Sequence, residues 1–382
     1  MRTTAILLCT AWLGACGGKD GPEPTDTQPP GQSSDADIRE MQLGVTTGAD
    51  GSSYVDFDVE AGETDMLITV SVDDLQNNAY IDEVIDPDGT LVWDGDEQYW
   101  SDYSLSYAGW PDIVTSLNWP ILASHGPLKE GRWTFRFTTV DPQQWRPLGD
   151  VKIAVHGQFS NDSGFDSGGV EVHVIYTGGT DQDPVVTEAV DASFELWGEM
   201  YRQVGVEPSF ATSVYPGNVD LSPPSLGSFA EYEELMAAND VGVVNLVLVP
   251  EFSGQGGAST LGLAGGIPGP LAPTPYSAVA VNVAAHMGSD LQFTPEEARI
   301  LAETMAHEVG HYLGLFHPVE DGWQWYDAID DTPECGNMND CQNVLGSNLM
   351  FPYTVCGGGE CVAQANLTTG QGDVLHRYVG VY

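Results

Sequence analysis

His307-Glu308-Val309-Gly310-His311-Tyr312-Leu313-Gly314-Leu315-Phe316-His317 brings three imidazoles and a carboxylate into one short stretch. On an α-helix, residues four apart share a face, so His307 and His311 can aim ring nitrogens at one cation. Glu308 stands beside that face. A carboxylate there can take a proton from an attacking water and later hand it to a leaving amine, the general acid/base role. His317 lies six residues beyond His311 and cannot reach the same point from a straight helix. Gly314 removes the obstacle, because glycine tolerates the left-handed conformation that ends a helix and lets the chain turn back. Three neutral imidazoles form the ligand set of a catalytic zinc with a fourth position open for water.

The helix can be read without the motif. Thr294-Pro295-Glu296-Glu297 supplies an N-cap hydroxyl, a proline at the first helical position and a glutamate three residues after the cap, which together make a capping box. A helix is therefore predicted from Thr294 to about Leu313, with Ile300, Leu301 and Met305 buried.

The extended motif resembles the metzincin metalloproteases. Ser347-Asn348-Leu349-Met350-Phe351-Pro352-Tyr353 is similar to their Met-turn, 33 residues after the last histidine. Within the metzincins the resemblance is to the pappalysin-like peptidases. Tyr326 to Cys335 is similar to that family's Asp-x-x-x-Asp-Thr-Pro segment, and Leu367-Thr368-Thr369-Gly370-Gln371-Gly372 to the opening of its C-terminal helix. The resemblance covers about residues 294 to 376. It implies zinc on His307, His311 and His317, Glu308 as general acid/base, and a structural Met350 beneath the metal. The family's oxyanion-stabilising tyrosine usually stands two residues after the methionine. Here Tyr353 stands three residues on, so it is a candidate for that role, with ring packing as the alternative. A structural calcium ion in the acidic stretch from Glu320 to Asp331 is a further expectation.

Upstream the chain changes character. Val55, Phe57 and Val59 alternate with polar residues, as do Ile68, Val70 and Val72, then Trp133, Phe135 and Phe137, then Val151, Ile153 and Val155. Asp86-Pro87-Asp88-Gly89 is a turn signal. Residues 41–158 are therefore expected to form an all-β sandwich or jelly roll, with a weak resemblance to the accessory domains of secreted bacterial proteases. A linker over 159–169 leads to a catalytic domain over 170–382. Its expected elements are a strand at Val170–Tyr176, a helix from Thr187 to Val204, strands at Val241–Val249 and Ala278–Val283, and a loop from Gly262 to Pro275. The fold class is α+β, a metzincin-like catalytic domain with a mixed twisted sheet, preceded by the β-domain. An edge strand of that sheet can pair with an extended peptide. His173 and His286 read as ordinary strand or loop histidines, and His376 as an exposed residue of the last helix.

Residues 1–15 read as a signal peptide: Arg2, an apolar run from Ala5 to Leu13, then Leu13-Gly14-Ala15-Cys16. This ending resembles the bacterial lipobox, which would lipidate Cys16. An ordinary secretory signal cut nearby is the alternative. Residues 16–40, rich in Pro, Gly and Ser, read as a flexible tether. The chain is thus expected in the cell envelope, at the outer membrane or cell surface, or secreted, meeting membrane only through that lipid. Export favours disulfides, and Cys335, Cys341, Cys356 and Cys361 allow three pairings.

The net charge of −45 excludes nucleic acid as a partner by repulsion. With 42% hydrophobic residues the chain can bury one or two cores. The function expected is that of an exported zinc metalloendopeptidase, a monomer acting on protein or peptide substrates. The alternatives are a lipid-anchored surface binding protein with an inactive protease-like domain, and a processing peptidase of narrow specificity.

Overall fold

Alternating apolar residues in the first half build two antiparallel sheets around one core. The computed structural model describes residues 38–161, 164–215, 242–252, 259–288, 290–320, 322–357 and 360–382. The signal sequence, Cys16 and nearly all of the tether lie outside the described residues. One sheet runs in the order β1 (Arg39–Thr46), β10 (Lys152–Ser160), β3 (Asp65–Val72), β7 (Val114–Trp119). The other runs β2 (Ser52–Val59), β8 (Gly131–Asp141), β4 (Asn78–Ile85), β5 (Leu91–Asp94), with β9 (Arg146–Pro147) beside β8. The side chains picked out by the alternation meet inside: Phe57 of one sheet lies 5.5 Å from its neighbour Phe135 and 6.2 Å from Phe159 of the other, centroid to centroid. Both sheets contribute to one apolar cluster, as period-2 patterning requires.

The second half holds a five-stranded mixed sheet in the order β12 (Val206–Val214), β11 (Gly168–Tyr176), β13 (Val244–Val249), β15 (Val279–Asn282), β14 (Gly262–Ala264). The first four are parallel and β14 runs antiparallel at the edge. Its central strands are buried on both faces, which explains their unbroken apolar runs. Val172, Val174, Leu246, Leu248, Val279 and Val281 point into the main core, whereas Ile175, Val247, Val249 and Ala280 pack on the opposite face. The stretch read as loop from Gly262 thus begins with a short strand. Three residues give too little periodicity to announce one.

Two helices cover the main face. One spans Pro184–Arg202 and the other, the motif helix, spans Pro295–Tyr312. The Tyr201 hydroxyl donates to the Ala306 carbonyl at 2.8 Å, fixing the motif helix against its neighbour. The C-terminal helix, Thr369–His376, opens on a reciprocal cap between Thr368 and Gln371. His376 corrects its reading: it is buried, with Nε2 at 2.7 Å from the Val204 carbonyl. That acceptor lies 172 residues away in sequence, so local pattern could not reveal it.

The two halves are joined by specific contacts. A short strand β6 (Tyr103–Ser104) pairs with β16 (Tyr326–Asp327) beyond the motif. The side chain of Asn118 donates to the Arg377 carbonyl and accepts from the Val379 amide. The Tyr107 amide donates to the Ile267 carbonyl at 2.8 Å.

Candidate metal centre and cleft

Thr294 caps the motif helix as its sequence predicts, its hydroxyl accepting from the Glu297 amide while the Glu297 carboxylate accepts from the Thr294 amide. Leu301 and Met305 are buried. Ile300 is only half-buried and faces the cleft instead. The helix ends at Tyr312, and Gly314 takes φ +110°, a conformation that side-chain-bearing residues rarely adopt. The chain reverses there and returns His317 to the first two histidines. His317 Nε2 lies 3.2 Å from Nε2 of His307 and 3.1 Å from Nε2 of His311.

Each of the other ring nitrogens has a fixed acceptor. His307 Nδ1 faces the Leu349 carbonyl at 2.7 Å, His311 Nδ1 the Leu315 carbonyl at 2.6 Å, and His317 Nδ1 the Glu320 carboxylate at 2.8 Å. Carbonyls and carboxylates only accept, so every Nδ1 carries the proton and every Nε2 presents a lone pair. Three lone pairs converging at this range repel one another unless a cation sits among them. Ligands of a tetrahedral zinc with bonds of about 2.0–2.1 Å stand about 3.3 Å apart, close to the spacing found here. The donor set therefore fits zinc. Burial, then the neighbouring His317, drives the His307 pKa down to about 3, and burial first of all holds His311 well below its ordinary value. Both rings are neutral at physiological pH, as ligands must be.

Met350 is fully buried under the motif helix. Gly310 makes room for it: a Cβ there would lie 2.7 Å from the Met350 sulfur. The same turn delivers the Leu349 carbonyl to His307, so the Met-turn-like stretch orients a ligand as well as supporting the helix. Glu320 is the one orienting side chain that the motif reading missed. Its signal was a glutamate three residues after the last histidine.

Glu308 opens onto a cleft of about 910 Å³ that also contains the three histidines. Burial pushes its pKa up to about 8, and a dication on the triad would pull it back down. Edge strand β14 passes directly over it. Tyr353 also lines the cleft, its ring 6.1 Å from Trp323 and 6.4 Å from Phe351. Tyr107, Trp110 and the start of β7, from the first half of the chain, also line the cavity.

The acidic stretch expected to hold calcium is divided among separate tasks. Glu320 engages His317, Asp327 accepts from the Thr332 hydroxyl and the Ile329 amide, and Asp331 accepts from the Gly370 amide. Among the described residues, the only group of three or more metal-ligating side chains is the histidine triad. The cysteines pair with their neighbours, Cys335 with Cys341 and Cys356 with Cys361. The second pair closes a hairpin whose Cys361 carbonyl accepts from Arg299 on the motif helix.

No family model and no curated protein matches the sequence. Solved structures similar in part are archaemetzincin from Methanopyrus kandleri, at 14% identity and TM-score 0.32, covering 57% of this chain and 98% of that one. Metalloproteinase-II from Bacteroides fragilis aligns at 14% identity and TM-score 0.27, covering 47% of this chain and 57% of that one. A chaperone–substrate complex aligns at 12% identity and TM-score 0.31, covering 56% of this chain and 35% of that one. Overlaps this partial leave the functional reading to the geometry of the site itself.

Proposed function

We propose that this chain is an exported zinc-dependent endopeptidase of the pappalysin-like metzincin type. One observation carries the reading: three imidazoles locked in the tautomer that offers Nε2 to a common point, with Glu308 open to the same cleft. Zinc bound there would polarise a scissile carbonyl and acidify a water. The chain's own residues do the rest. A Glu308 carboxylate oxygen takes the proton of the attacking water and returns it to the leaving amine. Strand β14, at the edge of the sheet among the described residues, would offer backbone groups to an extended peptide, as in strand addition. Tyr353 on the cleft wall is the candidate donor to the developing oxyanion.

The disulfides favour an oxidising compartment and so support export. No helix among the described residues is long and apolar enough to cross a membrane; attachment through a lipid on Cys16 belongs to the proposal. The wall contributed by the first half favours, as a second reading, a processing peptidase that accepts few sequences. Dialysis against a chelator followed by zinc titration tests the proposal. One zinc per chain and peptide hydrolysis that returns with it support the reading; tight zinc binding without hydrolysis of any peptide mixture would turn it toward the binding-protein alternative.

A further inference from the structure

Five aromatic residues crowd the segment from 99 to 110, and four of them are conspicuously open to solvent. Trp100 is 81% exposed, Trp110 45%, Tyr103 45% and Tyr107 41%. Leaving rings of this size in water costs free energy, and a chain seldom gathers so many on one exposed stretch without an interaction to cover them. The arrangement is ordered rather than scattered. Phe316, next to the ligand His317, meets Tyr107 edge-on at 4.9 Å; Tyr107 lies 5.7 Å from Trp110; and Trp110 lies 4.7 Å from Tyr99. The row therefore begins beside the ligand His317, and its two middle rings, Tyr107 and Trp110, line the cleft.

The row is also held rigidly. Ser106 is buried, and its hydroxyl sits 3.3 Å from the Ile267 carbonyl, which accepts the Tyr107 amide as well. The Trp110 amide closes the turn onto the Tyr107 carbonyl at 2.8 Å. Ile267 lies just beyond the C-terminal end of β14, so the aromatic wall is fixed at that end of the edge strand. A peptide added antiparallel to β14, the more favourable sense of pairing, would lay its N-terminal residues beside these rings.

We propose that Tyr107 and Trp110, carried by the N-terminal β-region, form a specificity subsite for a bulky apolar or aromatic side chain on the N-terminal side of the scissile bond. This rests on the peptidase reading above. The occupant is the substrate peptide because the rings continue the wall of the cavity that holds Glu308 and the triad. The N-terminal β-region is then part of the substrate-binding machinery, and the specificity of the enzyme is divided between two halves of the chain.

The test profiles cut sites in a peptide mixture for the full-length wild type, Trp110→Ala and Trp110→Phe. It adds binding of labelled, otherwise identical Phe and Ala peptides to Glu308→Gln backgrounds of each. The expected result is an apolar preference at one position before the cut, a fall of about tenfold in the Phe-to-Ala ratio of kcat/KM in Trp110→Ala, and retention of the preference in Trp110→Phe. An unchanged ratio in Trp110→Ala overturns the subsite while leaving the peptidase reading intact. If the wild type cuts nothing but Phe-peptide binding still depends on Trp110, the peptidase reading fails and the subsite, defined by a scissile bond, falls with it, leaving Trp110 as a peptide-binding residue only; with neither cutting nor Trp110-dependent binding, Trp110 has no peptide-binding role either.

Discussion

Gly262 and Glu308 touch so closely that no side chain fits between them: a Cβ on Gly262 would lie 2.5 Å from Cγ of Glu308 and 2.9 Å from its Cδ and Oε1. The edge strand and the candidate acid/base are thus set against each other without a gap. Gly262→Ala must displace one or the other. The expected outcome is a loss of about 10²-fold in kcat, the size of effect that small misplacements produce, with zinc content unchanged. Steady-state kinetics alongside metal analysis check it; an active Gly262→Ala enzyme would mean that this carboxylate position is not the working one.

Glu320 holds His317 through Nδ1. Its replacement by alanine leaves the ring free to rotate and less basic. Zinc affinity should fall about 10–100-fold, measured by competition with a chromophoric chelator, with secondary structure unaltered. An affinity equal to that of the wild type would show the contact to be incidental.

Gly314 sits at φ +110°, and a side chain there would meet little except Val374, 3.4 Å from its Cβ. The obstacle to substitution is therefore the backbone conformation. Gly314→Ala should cost about 1–3 kcal/mol and shift His317, lowering both the melting temperature and the zinc affinity. A fall in melting temperature with normal zinc binding would separate the turn from the ligand it delivers.

Asp327 is buried, and desolvation, opposed in part by the Thr332 hydroxyl, raises its pKa to about 7. One carboxylate oxygen, Oδ2, lacks a hydrogen-bond partner. The sign follows from linkage: a folded-state pKa above the unfolded value of about 3.8 means that the folded protein binds the proton more tightly. Stability from this group is full at low pH and is lost as pH rises toward 7, by an amount on the order of 2–4 kcal/mol. In chelator, Asp327→Asn should therefore gain on the wild type in thermal melts at pH 8 relative to pH 5. A gap independent of pH would contradict the shift.

These features differ in how far they could be read beforehand. The motif helix was legible to its cap because Thr294, Pro295 and Glu297 act within one turn. The β-region was legible because alternation at Val55–Val59 or Trp133–Phe137 is a local property of a half-buried strand. The turn at Gly314 was readable because only glycine is at ease there. The rest depends on contacts distant in sequence. The acceptors for His307 and His311 are backbone carbonyls, which no residue type announces. Gly262 and Glu308 are 46 positions apart, and Tyr107 joins Phe316 across the two halves of the chain. The disulfide pairing stayed open for the same reason: spacing permitted every combination, and the turns that chose neighbours form only in the folded chain.

The most direct test of the central claim is digestion of a mixture of unfolded proteins by the zinc-loaded wild type beside Glu308→Ala, with mass-spectrometric identification of the cut sites. The account predicts defined cuts by the wild type and none above background by Glu308→Ala, although that variant still binds zinc through His307, His311 and His317. Equal cleavage by both proteins would contradict it.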